Sequence, residues 1–256
     1  AKERQQFGKP IIEFPAIKEL LSNMKAKLLG SRALLYETTR FVEIYKDYTH
    51  LSHDRKLEPA ERAEMKAYTR LADAFTPMLK LMASEYCNDL AYDAIQVFGG
   101  SGYMKDYPVE RLYRDARITN IYEGTSQLQV VAAIRHVTTG TYLNQIKEYE
   151  AQEYEQSHLK DRLVVLRETY EKCVAKVTAT ENNEFVDFHA RRMVEMAAHI
   201  VISYLLMRQA GEVEDYRASA ELYVKYAEMQ VAAAARYIEQ STPADLELIS
   251  DVENEA

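Results

Sequence analysis

Residues 96–129 read QVFGGSGYMKDYPVERLYRDARITNIYEGTSQLQ, and the rest of the chain is read outward from them. The sequence has 8 Gly in 256 residues, yet Gly99, Gly100, Gly102 and Gly124 all fall in this stretch. Backbone freedom is gathered beside a lone glutamate, Glu123, in Tyr-Glu-Gly-Thr. Gly99-Gly100 follow a helical run. They read either as a left-handed helix C-terminus or as bare backbone that a ligand approaches closely. Because they follow a helix and not a strand, they are not the dinucleotide fingerprint of a doubly wound fold. Further on, Ser126 with Gln129 fits a Ser-x-x-Gln capping box and predicts a helix from about Ser126 to Thr138. Thr125 and Gln127 then sit at the free N–H groups of that helix, where a phosphate or a polar ring edge can bind. Gly124 lets the chain turn tightly and Glu123 projects just ahead of it. A carboxylate there, shut against an apolar ligand, would rise in pKa and become a proton acceptor; spacing alone favours a capped helix with a solvated glutamate before it.

Apolar residues recur at helical period on both sides. Ile17, Leu20, Leu21, Met24, Leu28, Leu35, Val42 and Tyr45 predict a helix from Pro15 to about His50, with Pro15 in its first turn. "HLSHDRKLEP" reads as a loop. Pro59 opens a second helix to about Phe75, and Thr76-Pro77 is expected to break or kink it before a third, Met78 to Phe98. Past Gly140 the composition shifts to a charged, Tyr-rich segment. Leu159 to Val177, Phe185 to Tyr204 and Leu222 to Tyr237 then predict three more helices, with a turn at Asn182-Asn183. No segment alternates with a period of two, so strands are not expected. The reading is an all-α protein: an antiparallel up-and-down bundle over residues 1–140, followed by a second helical unit over 141–256.

Composition sets bounds on partners and compartment. A hydrophobic fraction of 47% with 28% charged residues describes a globular chain and not a disordered one. The formal charge of −8 argues against nucleic acid as a general partner. Much of that charge lies after Arg236 (Glu239, Asp245, Glu247, Asp251, Glu253, Glu255), which reads as a solvated, frayed tail. No apolar run reaches the roughly 20 residues of a membrane-spanning helix and no signal-peptide pattern is present, so a cytoplasmic protein is expected. Cys87 and Cys173 match no metal or redox spacing and are expected to be buried, reduced thiols. His158, His189 and His199 have no metal-ligand spacing and are expected in plain surface or core roles. "AKERQQFGKP" reads as the end of a charged helix stopped by Gly8 and Pro10, which suggests a chain cut from something longer.

The motifs in order and spacing resemble the acyl-CoA dehydrogenase family: Gln-x-x-Gly-Gly-x-Gly-Tyr, Glu-x-x-x-Arg-Asp-Ala-Arg-Ile and Tyr-Glu-Gly-Thr-x-x-Gln, with Arg4, Phe7, Gly8, Pro10 and Ile11 near the start. The resemblance covers about residues 1–140, the family's C-terminal helical domain, and the long helical remainder resembles its larger members. It implies an FAD-dependent oxidoreductase that takes an acyl-CoA thioester to the trans-2-enoyl-CoA and passes electrons to an electron-transfer flavoprotein. Glu123 falls on the family's base, and Tyr122 and Gly124 on the substrate loop. Arg4, Phe7, Gln96, Gly99 and Gly100 fall on segments implied to contact the FAD of a neighbouring subunit, and Thr125 and Gln127 on positions implied to hold the cofactor of their own. A homodimer or homotetramer follows from that sharing. Arg114, Asp115 and Arg117 are also shared and are expected to form a salt-bridge scaffold. The family's N-terminal helical and middle β-domains are absent from the 256 residues, so the chain is expected to be a C-terminal piece with no turnover of its own. An acyl-CoA oxidase of the same fold, a nucleic-acid-associated relative and a non-catalytic helical assembly module stand as alternatives; the acidic charge speaks against the second.

Overall fold

The computed structural model describes residues 1–250. Ten helices carry the fold: α1 (Pro15–Asp54), α2 (Pro59–Phe98), the single turn α3 (Gly100–Tyr103), α4 (Val109–Ala116), α5 (Ser126–Thr138), α6 (Thr141–Glu150), α7 (Ser157–Thr178), α8 (Asn183–Glu212), α9 (Arg217–Gln240) and α10 (Asp245–Ser250). The all-α antiparallel architecture is as the periodicity predicts. α1 and α2, each of 40 residues, form a long hairpin across a short loop. Glu58 caps α2 through a reciprocal box with Glu61, and Pro59 occupies the first turn, where its missing N–H costs nothing.

Four expectations are corrected. The first ten residues do not end a helix: Gln5–Gln6 (β1) and Lys9–Pro10 (β2) pair antiparallel, with Gln6 opposite Lys9. Phe7 and Gly8 form the turn with φ of 51° and 81°, the left-handed pair that a two-residue hairpin requires; no interrupted helix opens the chain. Thr76-Pro77 does not split α2, which runs unbroken through both. The carbonyl that proline leaves without a helical donor belongs to Asp73, on the exposed side, and the Thr76 hydroxyl donates to the neighbouring Ala72 carbonyl at 2.8 Å. Cys87 is exposed, whereas Cys173 is buried as expected. The acidic end is helical over Asp245–Ser250: the Thr242 N–H donates to Asp245 at 2.8 Å, and Leu246 packs on the core. Asp251, Glu253 and Glu255 lie outside the described residues.

One apolar core runs through the parts before and after Gly140. Its middle is α8, buried on every face from Met196 to Met207, as a helix apolar all round must be. α8 packs against α1, α5, α7 and α9. Contact with α1 is close at Gly30, where a Cβ would come within 2.7 Å of the Ile202 methyl. Phe41, Phe75 and Tyr142 stack edge-on through the bundle, with centroids 4.9 and 6.1 Å apart. Among the described residues, no helix is long and apolar enough to cross a membrane.

Candidate active site

α5 and the loop before it lie against the middle of α2. Asn88 on α2 fixes the approach, its amide donating to the Ala116 carbonyl at 3.0 Å where α4 ends. A short 3-10 turn, Arg117–Asn120, leads to Tyr122, Glu123 and Gly124. Glu123 has φ 51° and Gly124 φ 93°, so two successive residues are left-handed. Three donor contacts hold this backbone. The Gln129 amide reaches the carbonyls of Glu123 and Gly124, both at 3.3 Å, and the Lys80 ammonium reaches that of Gly124 at 2.8 Å. Lys80 also lies 5.7 Å from the centre of the Tyr122 ring. The Glu123 side chain is exposed, and among the described residues its carboxylate takes no hydrogen bond or ion pair. Such a group can accept a proton from whatever is brought against it.

The helix cap differs from the expectation by one residue. Thr125 is the N-cap, its hydroxyl accepting from the Leu128 N–H at 3.3 Å. The Ser126 hydroxyl donates instead to Glu85 on α2 at 2.5 Å, and Gln129 is turned to the loop carbonyls. Glu85 is also paired with Arg191 of α8 at 3.3 Å, so α8 reaches the start of α5 through one carboxylate. Thr125 and Gln127 are exposed at that start, beside N–H groups with no partner inside the helix.

A second cluster forms at the far end of α2. Gly99 closes the helix at φ 62°, its N–H donating to Ile95 and Gln96. The Arg4 guanidinium donates to the Val97 carbonyl at 3.3 Å and lies so close over Gly99 that any Cβ there would collide with it. A Cβ at Gly100 would meet nothing, and Gln96 is exposed. Arg4, Val97, Phe98, Ser101 and Tyr107 line a cleft of about 420 Å³. Next to it, Tyr92, Gln96, Tyr113, Arg114 and Arg117 line a groove of about 700 Å³. Arg4 forms no ion pair among the described residues. An unpaired guanidinium over glycine backbone fits an anionic phosphate, as FAD carries. Phe7, at the hairpin tip, is 91% exposed and sets its ring edge-on to Phe14. The structure thus brings Arg4, Gln96 and Gly99 together, and separately Tyr122, Glu123, Gly124 and Thr125. From Lys80 to Phe98, α2 rises roughly 27 Å between the two groups.

The salt-bridge scaffold is not formed: among the described residues Arg114, Asp115 and Arg117 join no ion pair, and Arg117 donates to Asn120. His158 is an exposed partner of Glu221 at 2.6 Å. His189 and His199 are core residues, and burial pushes both imidazoles down, to about 4 and about 3. No cluster of three or more metal-ligating side chains occurs among the described residues. Sequence reasoning missed Lys80, Glu85 and Asn88. Their signal was a polar stripe at 80, 84, 85 and 88 interrupting an otherwise apolar helical face.

The fold is that of one family. The family described as "Acyl-CoA dehydrogenase, C-terminal domain" matches residues 1–138, and that described as "Acyl-CoA dehydrogenase C terminal" matches residues 138–246. The chain belongs to the acyl-CoA dehydrogenase family. It is 39% identical over 129 residues to the CarC subunit of the caffeyl-CoA reductase–Etf complex of Acetobacterium woodii, covering 50% of this chain and 28% of that protein. To an acyl-CoA dehydrogenase of Bacillus subtilis it is 36% identical over 141 residues, covering 55% of this chain and 31% of that protein. An acyl-CoA dehydrogenase of Bacillus anthracis, solved in complex with FAD, has the same fold, with a TM-score of 0.67 at 23% identity over 97% of this chain and 45% of that one. The chain therefore spans under a third of the length of these two sequence relatives.

Proposed function

We propose that this chain is the C-terminal helical region of an FAD-dependent acyl-CoA dehydrogenase in which Glu123 is the base. The observation that carries this is an exposed carboxylate, free of partners among the described residues, held on a left-handed loop in a chain of that family. An acyl-CoA thioester laid along the loop would present its α-carbon to Glu123, within reach of a proton acceptor. Glu123 then takes the α-proton, leaving the electron pair to form the α,β double bond as the β-hydride departs. FAD, when bound, supplies the acceptor for that hydride, and the product is the trans-2-enoyl-CoA. Arg4, Gln96, Gly99 and Gly100 would hold its anionic part at one end of α2. Thr125 and Gln127 would contact a cofactor near the Glu123 loop. Their separation along α2 supports a homodimer or larger assembly in which each chain serves two cofactors. One relative is named a reductase; the same glutamate, returning a proton to the α-carbon, serves that direction. An electron-transfer flavoprotein is the proposed electron partner.

The test is Glu123→Gln, which keeps shape and removes the proton-accepting oxygen. FAD content should be unchanged, because Arg4, Thr125 and Gln127 are untouched. Bleaching of the flavin by saturated acyl-CoA thioesters should slow by ~10²–10⁴-fold or more, the scale of a general-base contribution. A variant that holds FAD and bleaches at the wild-type rate would exclude Glu123 as the base.

A further inference from the structure

We infer that Lys80 is a positioning residue for the Glu123 loop, fixing where the carboxylate stands relative to α2. This rests on the reading of Glu123 as the base. The loop backbone is in a conformation that non-glycine residues avoid, and such a conformation persists only where its surroundings over-determine it. The donors on its carbonyls differ in origin. Gln129 belongs to α5, the helix that the loop itself begins, and its two contacts are long, at 3.3 Å each. Those contacts hold the loop to its own helix and to nothing else. Lys80 comes from α2, 44 residues earlier in sequence, and bonds the Gly124 carbonyl at 2.8 Å. Among the described residues it is the one side chain outside α5 that hydrogen-bonds the backbone of residues 122–124. A charged donor at that distance is roughly twice as strong as a neutral one.

Lys80 is half-buried and, with Leu28, Leu35 and Leu79, lines an open apolar groove where α1 and α2 meet, with its ammonium on the loop carbonyl. α2 is a continuous helix, and Ser126–Glu85 pins the start of α5 to it two residues beyond Gly124. Lys80 therefore ties the loop to the same frame that holds the following helix. A base must meet the carbon acid within hydrogen-bond reach, and a displacement of about 1 Å costs on the order of 10²-fold in rate.

The experiment uses the FAD-loaded full protein with Lys80→Met, which keeps the stem and removes every donor, and with Lys80→Arg, which restores a cationic donor. Amide hydrogen exchange is followed with and without flavin reduction by saturated acyl-CoA thioesters. In Lys80→Met, exchange at the amides of residues 122–125 should quicken at least ~10-fold while α2 and α8 stay protected. The limiting rate of reduction should fall ~10–10²-fold with KM changed little, and Lys80→Arg should recover most of both. Unchanged exchange and rate in Lys80→Met would overturn the proposal. So would protection lost evenly across α2 and α8, which marks a stability effect. Glu123→Gln, run in parallel, separates the two readings. If it reduces flavin at the wild-type rate, the base assignment fails; if it is inactive while Lys80→Met is normal, only the positioning role fails.

Discussion

Glu37 sits inside α1 with its side chain 1% exposed, and three helices meet on it. Arg40 donates to it at 2.9 Å, Arg208 of α8 at 2.8 Å and the Tyr149 hydroxyl of α6 at 2.7 Å. Burial pushes the carboxyl up, but the hydrogen bonds from these three partners outweigh burial and hold it down from 4.5 to about 2. A folded-state pKa below the unfolded one means the stabilisation is full above about pH 4.5 and is lost as pH falls toward about 2. Glu37→Gln should cost about 1.5–3 kcal/mol at pH 7, the worth of hydrogen bonds to a charged group. Its unfolding curve in urea should converge on the wild-type curve between pH 4.5 and 2; a gap that persists at pH 2 would contradict the linkage. Nothing in the sequence near Glu37 marked this role, because Tyr149 and Arg208 lie 112 and 171 residues away. The tight loop around Glu123 was legible for the opposite reason: its turn glycine and helix cap lie within a few positions of it. Lys80 stands between the cases, a polar residue on a helix whose target lies in a distant loop.

At the scale of elements, long helices were read from period alone, and the errors came where one local signal had two outcomes. Gly8 and Pro10 read locally as a helix stop, but Phe7-Gly8 is a hairpin turn over strands two residues long, too short to show a period. Pro77 predicts a break or a kink, but α2 runs on through it without interruption. The Ser-x-x-Gln box slid by one because Glu85 claims the Ser126 hydroxyl. Helix contact gives a sharper test. Ala in place of Gly normally stabilises a helix by ~1 kcal/mol, and at Gly211, where a Cβ meets nothing, Gly211→Ala should raise the melting temperature. Gly30→Ala should do the reverse, because its methyl overlaps Ile202 at 2.7 Å. Overpacking costs about 1–3 kcal/mol, so thermal melts of the two variants should shift in opposite directions. A rise for both would show that α1 and α8 have room to part.

For the whole molecule, the helices after Gly140 are not an appendage. α8 supplies the centre of the core shared by α1, α5, α7 and α9, and Leu34, Phe41, Val130 and Ala133 are buried in that same core. Residues 1–140 expressed alone should keep helical far-UV dichroism, lose near-UV signal, bind a hydrophobic dye and melt without cooperativity; a sharp melt with native near-UV bands would show an independent first unit. The composition shift at Gly140 was visible in the sequence, but which helix becomes central depends on contacts between segments far apart in the chain. α2 is the other organising element, since it passes Pro77 without interruption and carries one cluster near its middle and the other at its end. It works as a ruler with a phase. One residue inserted between Lys80 and Phe98 would lengthen the gap by only about 1.5 Å but swing the far end through roughly 100°, turning the Gly99 end away from Arg4. The spacing of the two clusters can thus change only in steps near a full helical turn, and length and orientation must be conserved together.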